Sequence, residues 1–115
     1  MVLGVVCGGL VMENFCFVIR ISSWSDQGYS CSWVVDVYES LDGAKRRFRE
    51  LEFNETARLV TGENDGNFDL DDATLERFGY KKELNEYTDG TLSYSISSPW
   101  GNNLIIEILR KKLLP

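Results

Sequence analysis

Phe15, Phe17, Ile19 and Ile21 alternate with Asn14, Cys16, Val18, Arg20 and Ser22. A period of two predicts a strand with one buried face. Ser23-Trp24-Ser25-Asp26-Gln27-Gly28 reads as a turn, with Gly28 available for a positive φ. Cys31, Trp33, Val35 and Val37 then alternate with Ser32, Val34, Asp36 and Tyr38, so the two segments form an antiparallel hairpin.

The period then changes. Leu41, Ala44, Phe48 and Leu51 recur at helical spacing, with Lys45, Arg46, Arg49 and Glu52 on the outer side. Ser40 is placed to cap this helix, and Asp42 favours its first turn. The helix is expected to continue toward Val60 and stop at Gly62, with Ala57–Thr61 readable as extended chain instead. Asp71 or Asp72 caps a short helix holding Leu75 and Phe78, ended by Gly79. Tyr80–Tyr87 shows no clear period. Asp89-Gly90 is a turn signal. After it Leu92, Tyr94 and Ile96 alternate with the hydroxyls of Thr91, Ser93, Ser95 and Ser97. A second turn, Ser98–Asn103, leads to Leu104, Ile106 and Ile108 on one face of a last strand.

The order is β-β-α-(short α)-β-β. It predicts an α+β fold, with an antiparallel sheet of about four strands and one long helix packed on one face. Phe15, Phe17, Ile19, Trp33, Val35, Phe48, Leu51, Tyr94, Ile96, Ile106 and Ile108 are the expected core. Residues 13–115 make a single domain. Residues 1–12 are apolar and uncharged, and read as a flexible leader or an extra strand, with Met12 as an alternative start. They lack the basic flank of a secretory signal and are shorter than the ~20 residues of a membrane span.

Composition narrows the function. The 115 residues carry a formal charge of −6, which disfavours direct contact with nucleic acid. The imbalance is local: 6 Lys/Arg face 8 Asp/Glu in residues 1–60, 3 face 9 in 61–90, and 3 face 1 in 91–115. Glu63, Asp65, Asp69, Asp71 and Asp72 account for most of it. Lys45, Arg46, Arg47, Arg49 and the Arg110-Lys111-Lys112 run are read as solvated faces, the first group paired with Asp42, Glu50 and Glu52. Three cysteines, Cys7, Cys16 and Cys31, with no close spacing and no histidine in the chain, read as reduced, buried thiols in a cytoplasmic protein.

Catalysis has little to draw on. There is no histidine, no phosphate-binding glycine motif, and no base to activate a thiol, so no enzyme and no cofactor are expected. Around Gly66 the acids match a degenerate EF-hand loop, with Glu63, Asp65, Asn67, Asp69 and Asp72 at ligand positions. Thr61 fails the first position and Asp72 is short for the twelfth. A divalent-cation module is therefore the alternative reading, with no metal ligands assigned.

The expectation is a small acidic binding protein. Short acidic single domains of this build are common among inhibitors, immunity proteins and phage counter-defence proteins, anti-CRISPR proteins included. Such a protein occludes a basic surface of a protein partner, for example a nucleic-acid-binding one. Its expected contacts are Glu63, Asp65, Asp69, Asp71 and Asp72 with Trp24 and Trp100, because tryptophans in turns suit interfaces. A structural subunit, such as a homodimer through a sheet edge, is a further alternative.

Overall fold

The computed structural model describes residues 6–7, 10–11, 15–61 and 71–112. The fold is α+β, as the periodicity predicts. The elements are β1 (Val6–Cys7), β2 (Leu10–Val11), β3 (Phe15–Ser25), β4 (Ser30–Tyr38), α1 (Leu41–Thr61), α2 (Asp72–Arg77), β5 (Lys81–Glu86), β6 (Leu92–Ser97) and β7 (Asn102–Lys112). β1 and β2 pair only with each other. The main sheet is antiparallel with order β4-β3-β7-β6-β5.

Five strands replace the four expected, because Lys81–Glu86 is a strand paired with β6 from Lys81↔Ser97 to Glu86↔Leu92. Its sequence, Lys-Lys-Glu-Leu-Asn-Glu, has no alternating apolar set. An edge strand can be held by one ladder of backbone hydrogen bonds with little side-chain burial. β3 and β7 are 11 residues each and pair along their whole length at the centre, from Phe15↔Lys112 to Ser25↔Asn102.

α1 crosses one face of this sheet over β7 and β3. Ser40 Oγ accepts from the Gly43 amide at 3.1 Å, which is the expected cap. The helix runs unbroken to Thr61, so Ala57–Thr61 is helical rather than extended. It buries Ala44, Phe48, Leu51 and Ala57 against Ile19, Ile21, Tyr94, Ile96, Ile106 and Ile108. Burying side chains of this kind is worth about 1.5–3 kcal/mol each before entropy is charged. Leu41 anchors the start of α1 against the β5–β6 turn, where a Cβ on Gly90 (φ +87) would lie 2.7 Å from its Cδ2. On the outer side Arg47 pairs with Glu50, Arg49 with Glu52 and Lys45 with Glu86, so three of the basic residues face acids.

Four expectations about β3 and β4 need correction. The β3–β4 register shifts between Ile19 and Arg20: Ile19 faces Asp36 and Arg20 faces Val34, which leaves Val35 as the extra residue. A bulge moves every side chain beyond it to the other face. Val37 therefore lies exposed on the face away from α1, beside Val18, rather than in line with Trp33 and Val35. Trp33, expected in the core, is 41% exposed at the sheet edge, while Val35 and Phe17 pack on the core margin. Trp24 belongs to β3, paired with Ser30 and Asn103, rather than to the turn. Cys16 and Cys31 are free thiols; Cys16 is half-buried, whereas Cys31 is exposed on β4, so the expected burial fails there.

The face away from α1 carries a mixed surface. Arg20 reaches across to Glu107, its Nε donating to Oε1 at 2.9 Å. Val18, Ile105 and Leu109 surround the pair on the same face, and Ser93, Ser95 and Ser97 extend it along β6. The alternating hydroxyls of β6 thus lie where the period of two predicts.

Candidate functional site

Two hairpin turns and the end of α2 meet at one end of the sheet. In the β3–β4 turn, Ser25 N–H donates to Tyr29 O at 2.8 Å, and Gly28 takes φ +94. In the β6–β7 turn, Ser98 Oγ accepts from the amides of Trp100 at 3.2 Å and Asn102 at 3.0 Å. The two turns are joined: Asp26 N–H donates to Gly101 O at 3.0 Å. Asn103 Nδ2 donates to the carbonyls of Gly101, at 3.2 Å, and Trp24, at 3.4 Å.

α2 closes the third side. Asp71 caps it, its carboxylate accepting from Thr74 N–H at 2.7 Å. Hydrogen bonding by the Thr74 hydroxyl and then its amide holds the Asp71 carboxyl below the usual range. Leu75 is buried, and the chain turns at Gly79 (φ +93), where a Cβ would lie 3.1 Å from Pro99. That contact sets Phe78 and Trp100 one residue to either side of the Gly79–Pro99 crossing.

The consequence is an aromatic rim. Trp100 is 78% exposed, Tyr29 68%, Phe78 63% and Trp24 37%. Large apolar side chains left this wet cost hydration free energy and cluster at contact surfaces. Ser98, Gly101 and Asp26 tie the two turns together through these hydrogen bonds. Arg77 lies over the Phe78 ring at 5.6 Å, adding one cation to the rim.

Of the seven side chains expected to make contact, Trp24 and Trp100 lie at this end and stand open to solvent. Asp71 and Asp72 adjoin it but have work inside the fold: Asp71 caps α2, and Asp72 ion-pairs with Lys82 at 2.7 Å. Glu63, Asp65 and Asp69 lie outside the described residues, as does most of the EF-hand register; the segment 62–70 joins the end of α1 to the cap of α2. Tyr29 and Phe78 were not anticipated as contacts. Tyr29 follows Gly28 and Phe78 precedes Gly79, but Tyr80, on the other side of Gly79, is buried, so adjacency to a turn glycine did not single them out.

A second concavity lies between α2 and β5. It has a volume of about 490 Å³ and is lined by Asp72, Leu75, Glu76, Gly79, Tyr80, Lys81 and Lys82. Its acids, Asp72 and Glu76, come from α2 and its lysines, Lys81 and Lys82, from β5, and Asp72 pairs with Lys82. Among the described residues no group of three Cys, Asp or Glu could hold a metal ion, and no helix is long and apolar enough to cross a membrane. The chain matches no protein-family model, no curated protein and no solved structure in the three comparisons made.

Proposed function

We propose that this chain is a non-enzymatic binding protein whose turn end docks on a basic surface of a protein partner and occludes it. The observation that carries the reading is the aromatic rim: Trp100, Tyr29 and Phe78 stand out from rigid turns at one end of the sheet. Large aromatics on a pre-ordered support are the residues that dominate binding energy at interfaces. Glu63, Asp65 and Asp69, which precede the cap of α2 in the sequence, supply attraction over a longer range. A partner that normally meets phosphate, such as a nucleic-acid-binding protein, has the complementary charge. Inhibitors, immunity proteins and counter-defence proteins of the anti-CRISPR type work in this way.

The test separates the aromatic contribution from the electrostatic one. A photo-crosslinking residue at position 100 should capture one basic protein from native-host extract. The purified partner should then bind Trp100→Ala at least tenfold more weakly, about 1.4 kcal/mol. Glu63→Gln, Asp65→Asn and Asp69→Asn combined should weaken binding and flatten its salt dependence. Asp71 and Asp72 are left intact in that variant because they hold α2. A salt slope equal to that of the unmodified chain would remove the charge mechanism, and undiminished affinity in Trp100→Ala would remove the rim.

The alternative, a divalent-cation module, has one observation bearing on it. Asp72, the twelfth residue of the loop register, is engaged with Lys82. A cation ligand there would first have to leave that lysine. Calorimetry with calcium and magnesium distinguishes the two readings, because only the cation module gives heat.

A further inference from the structure

The two edges of the main sheet are built differently. β5 is 6 residues long and carries Lys81, Lys82, Glu83 and Glu86. Charged side chains, lysine above all, and short length protect an edge from pairing with another chain. β4 is 9 residues long, reads Ser-Cys-Ser-Trp-Val-Val-Asp-Val-Tyr, and has Asp36 as its one charged residue. Among the described residues no strand pairs on its outer side. Asp36 turns back on its own strand: Oδ1 accepts from Val37 N–H at 2.9 Å and Oδ2 from the Tyr38 hydroxyl at 3.0 Å. That caps one end of the edge and leaves Ser30–Val35 as an uncharged, β-branched and aromatic run. Trp33 is 41% exposed and Val34 56%.

We infer that β4 pairs antiparallel with β4 of a second copy of this chain, about a two-fold axis beside Ser32 and Trp33, joining two five-stranded sheets into one of ten strands. Charge placement selects a second copy. Residues 71–90 hold 6 acids against 3 bases and lie on the β5 side of the sheet. β5 is four strand spacings from β4, and in the joined sheet the two β5 strands are nine spacings apart, roughly 40 Å. That distance exceeds the screening length of about 8–10 Å several times over. The acidic β5 sides of the two copies are therefore as far apart as the sheet allows, and the strands that meet carry Asp36 as their one charge. A two-fold axis also makes the pairing antiparallel, in keeping with the rest of the sheet. From Ser30 to Val34, before the bulge at Val35, the side chains alternate, so Trp33 of both copies lies on the α1 face and Val34 of both on the other.

The experiment is the mass of the full chain in solution, under reducing conditions, by sedimentation equilibrium across a concentration series. Unmodified protein is expected at twice the 13.1 kDa chain mass. Val34→Lys and, separately, Ser32→Lys are expected to return it to a single chain mass, with far-ultraviolet circular dichroism unchanged, since both side chains are exposed. Leu84→Lys, on the exposed β5 edge, is expected to leave the pair intact. Three results each overturn the inference: a single chain mass for the unmodified protein at every concentration, a pair that persists in both lysine variants of β4, or a pair broken by Leu84→Lys.

Discussion

Asp26 and Gly101 are joined by one hydrogen bond and lie close together: the Asp26 amide donates to the Gly101 carbonyl at 3.0 Å, and a Cβ on Gly101 would lie 2.7 Å from the Asp26 carboxylate oxygen Oδ2. Gly101 has φ +88, a conformation that side-chain-bearing residues resist. Gly28, in the neighbouring turn, has a similar φ of +94 but open space around it. The two positions separate backbone strain from contact. Gly28→Ala is expected to cost about 1 kcal/mol, and Gly101→Ala about 2–3 kcal/mol, because Asp26 must also move. Urea denaturation of both variants measures the difference, and equal losses would show that the turn-to-turn contact contributes nothing.

Tyr94 is fully buried beneath α1, and its hydroxyl lies 2.6 Å from Thr56 Oγ1. Burial pushes its hydroxyl up to about 12, with Thr56 opposing the shift. The neutral phenol is the form the fold accepts. Its contribution to stability is complete below the ordinary value of 10 and declines as pH rises from there toward 12, because the unfolded chain loses the proton first. Stability is expected to fall over that window, and Tyr94→Phe to make the fall shallower. At neutral pH the same substitution is expected to cost about 1–2 kcal/mol, since Thr56 loses its partner in a buried site. Thermal melts from pH 7 to 11.5 give both quantities.

Asp71 offers an acid-side counterpart. Its folded carboxyl titrates below the ordinary 3.8 because Thr74 stabilises the charged form. The stability it brings is present above that ordinary value and is lost as pH falls through the lower, folded one. In carbon-detected NMR the Asp71 carboxyl is expected to titrate below 3.8, with the Thr74 amide following it. Asp71→Asn retains a cap and should keep α2 amides protected from exchange, whereas Asp71→Ala should expose them. Equal protection in the two variants would deny the carboxylate its capping role.

Much of this architecture was legible in the chain. β3, β6 and β7 declare themselves by a period of two, and α1 by Ala44, Phe48 and Leu51 with Ser40 as cap. Seven of the eleven expected core residues are buried: Ile19, Phe48, Leu51, Tyr94, Ile96, Ile106 and Ile108. β5 was not legible because its pairing is a property of β6 rather than of its own side chains; the Asp89-Gly90 turn was the available hint that a strand precedes Leu92. Val37 was misplaced because one extra residue at Val35 inverts the alternation, and no local signal marks a bulge without glycine; Trp33 keeps the core face but lies on the edge strand, where the periodicity cannot show that no neighbour covers it. Trp100 lies in the turn that Ser98-Pro99 and Gly101 mark in the sequence, whereas Trp24 lies in β3. A charge count cannot distinguish a cap or an ion-paired acid from a free one, so the places of Asp71 and Asp72 inside the fold were not legible.

The central pair of the sheet, β3 with β7, joins residues 15–25 to residues 102–112. Closing so long a loop delays the reward until most of the entropy has been lost, so folding is expected to be slow for a chain of this size. During synthesis Ile19 and Ile21 wait without the strand that will flank them, while the β3–β4 hairpin already presents its Trp33 edge. Loss of β7 would part the sheet into two separate hairpins, β4-β3 and β6-β5, and leave α1 without its principal floor. The defining pairing therefore waits until residues 102–112 have been made, and a nascent population held short of Asn102 is where mispairing through β4 would begin.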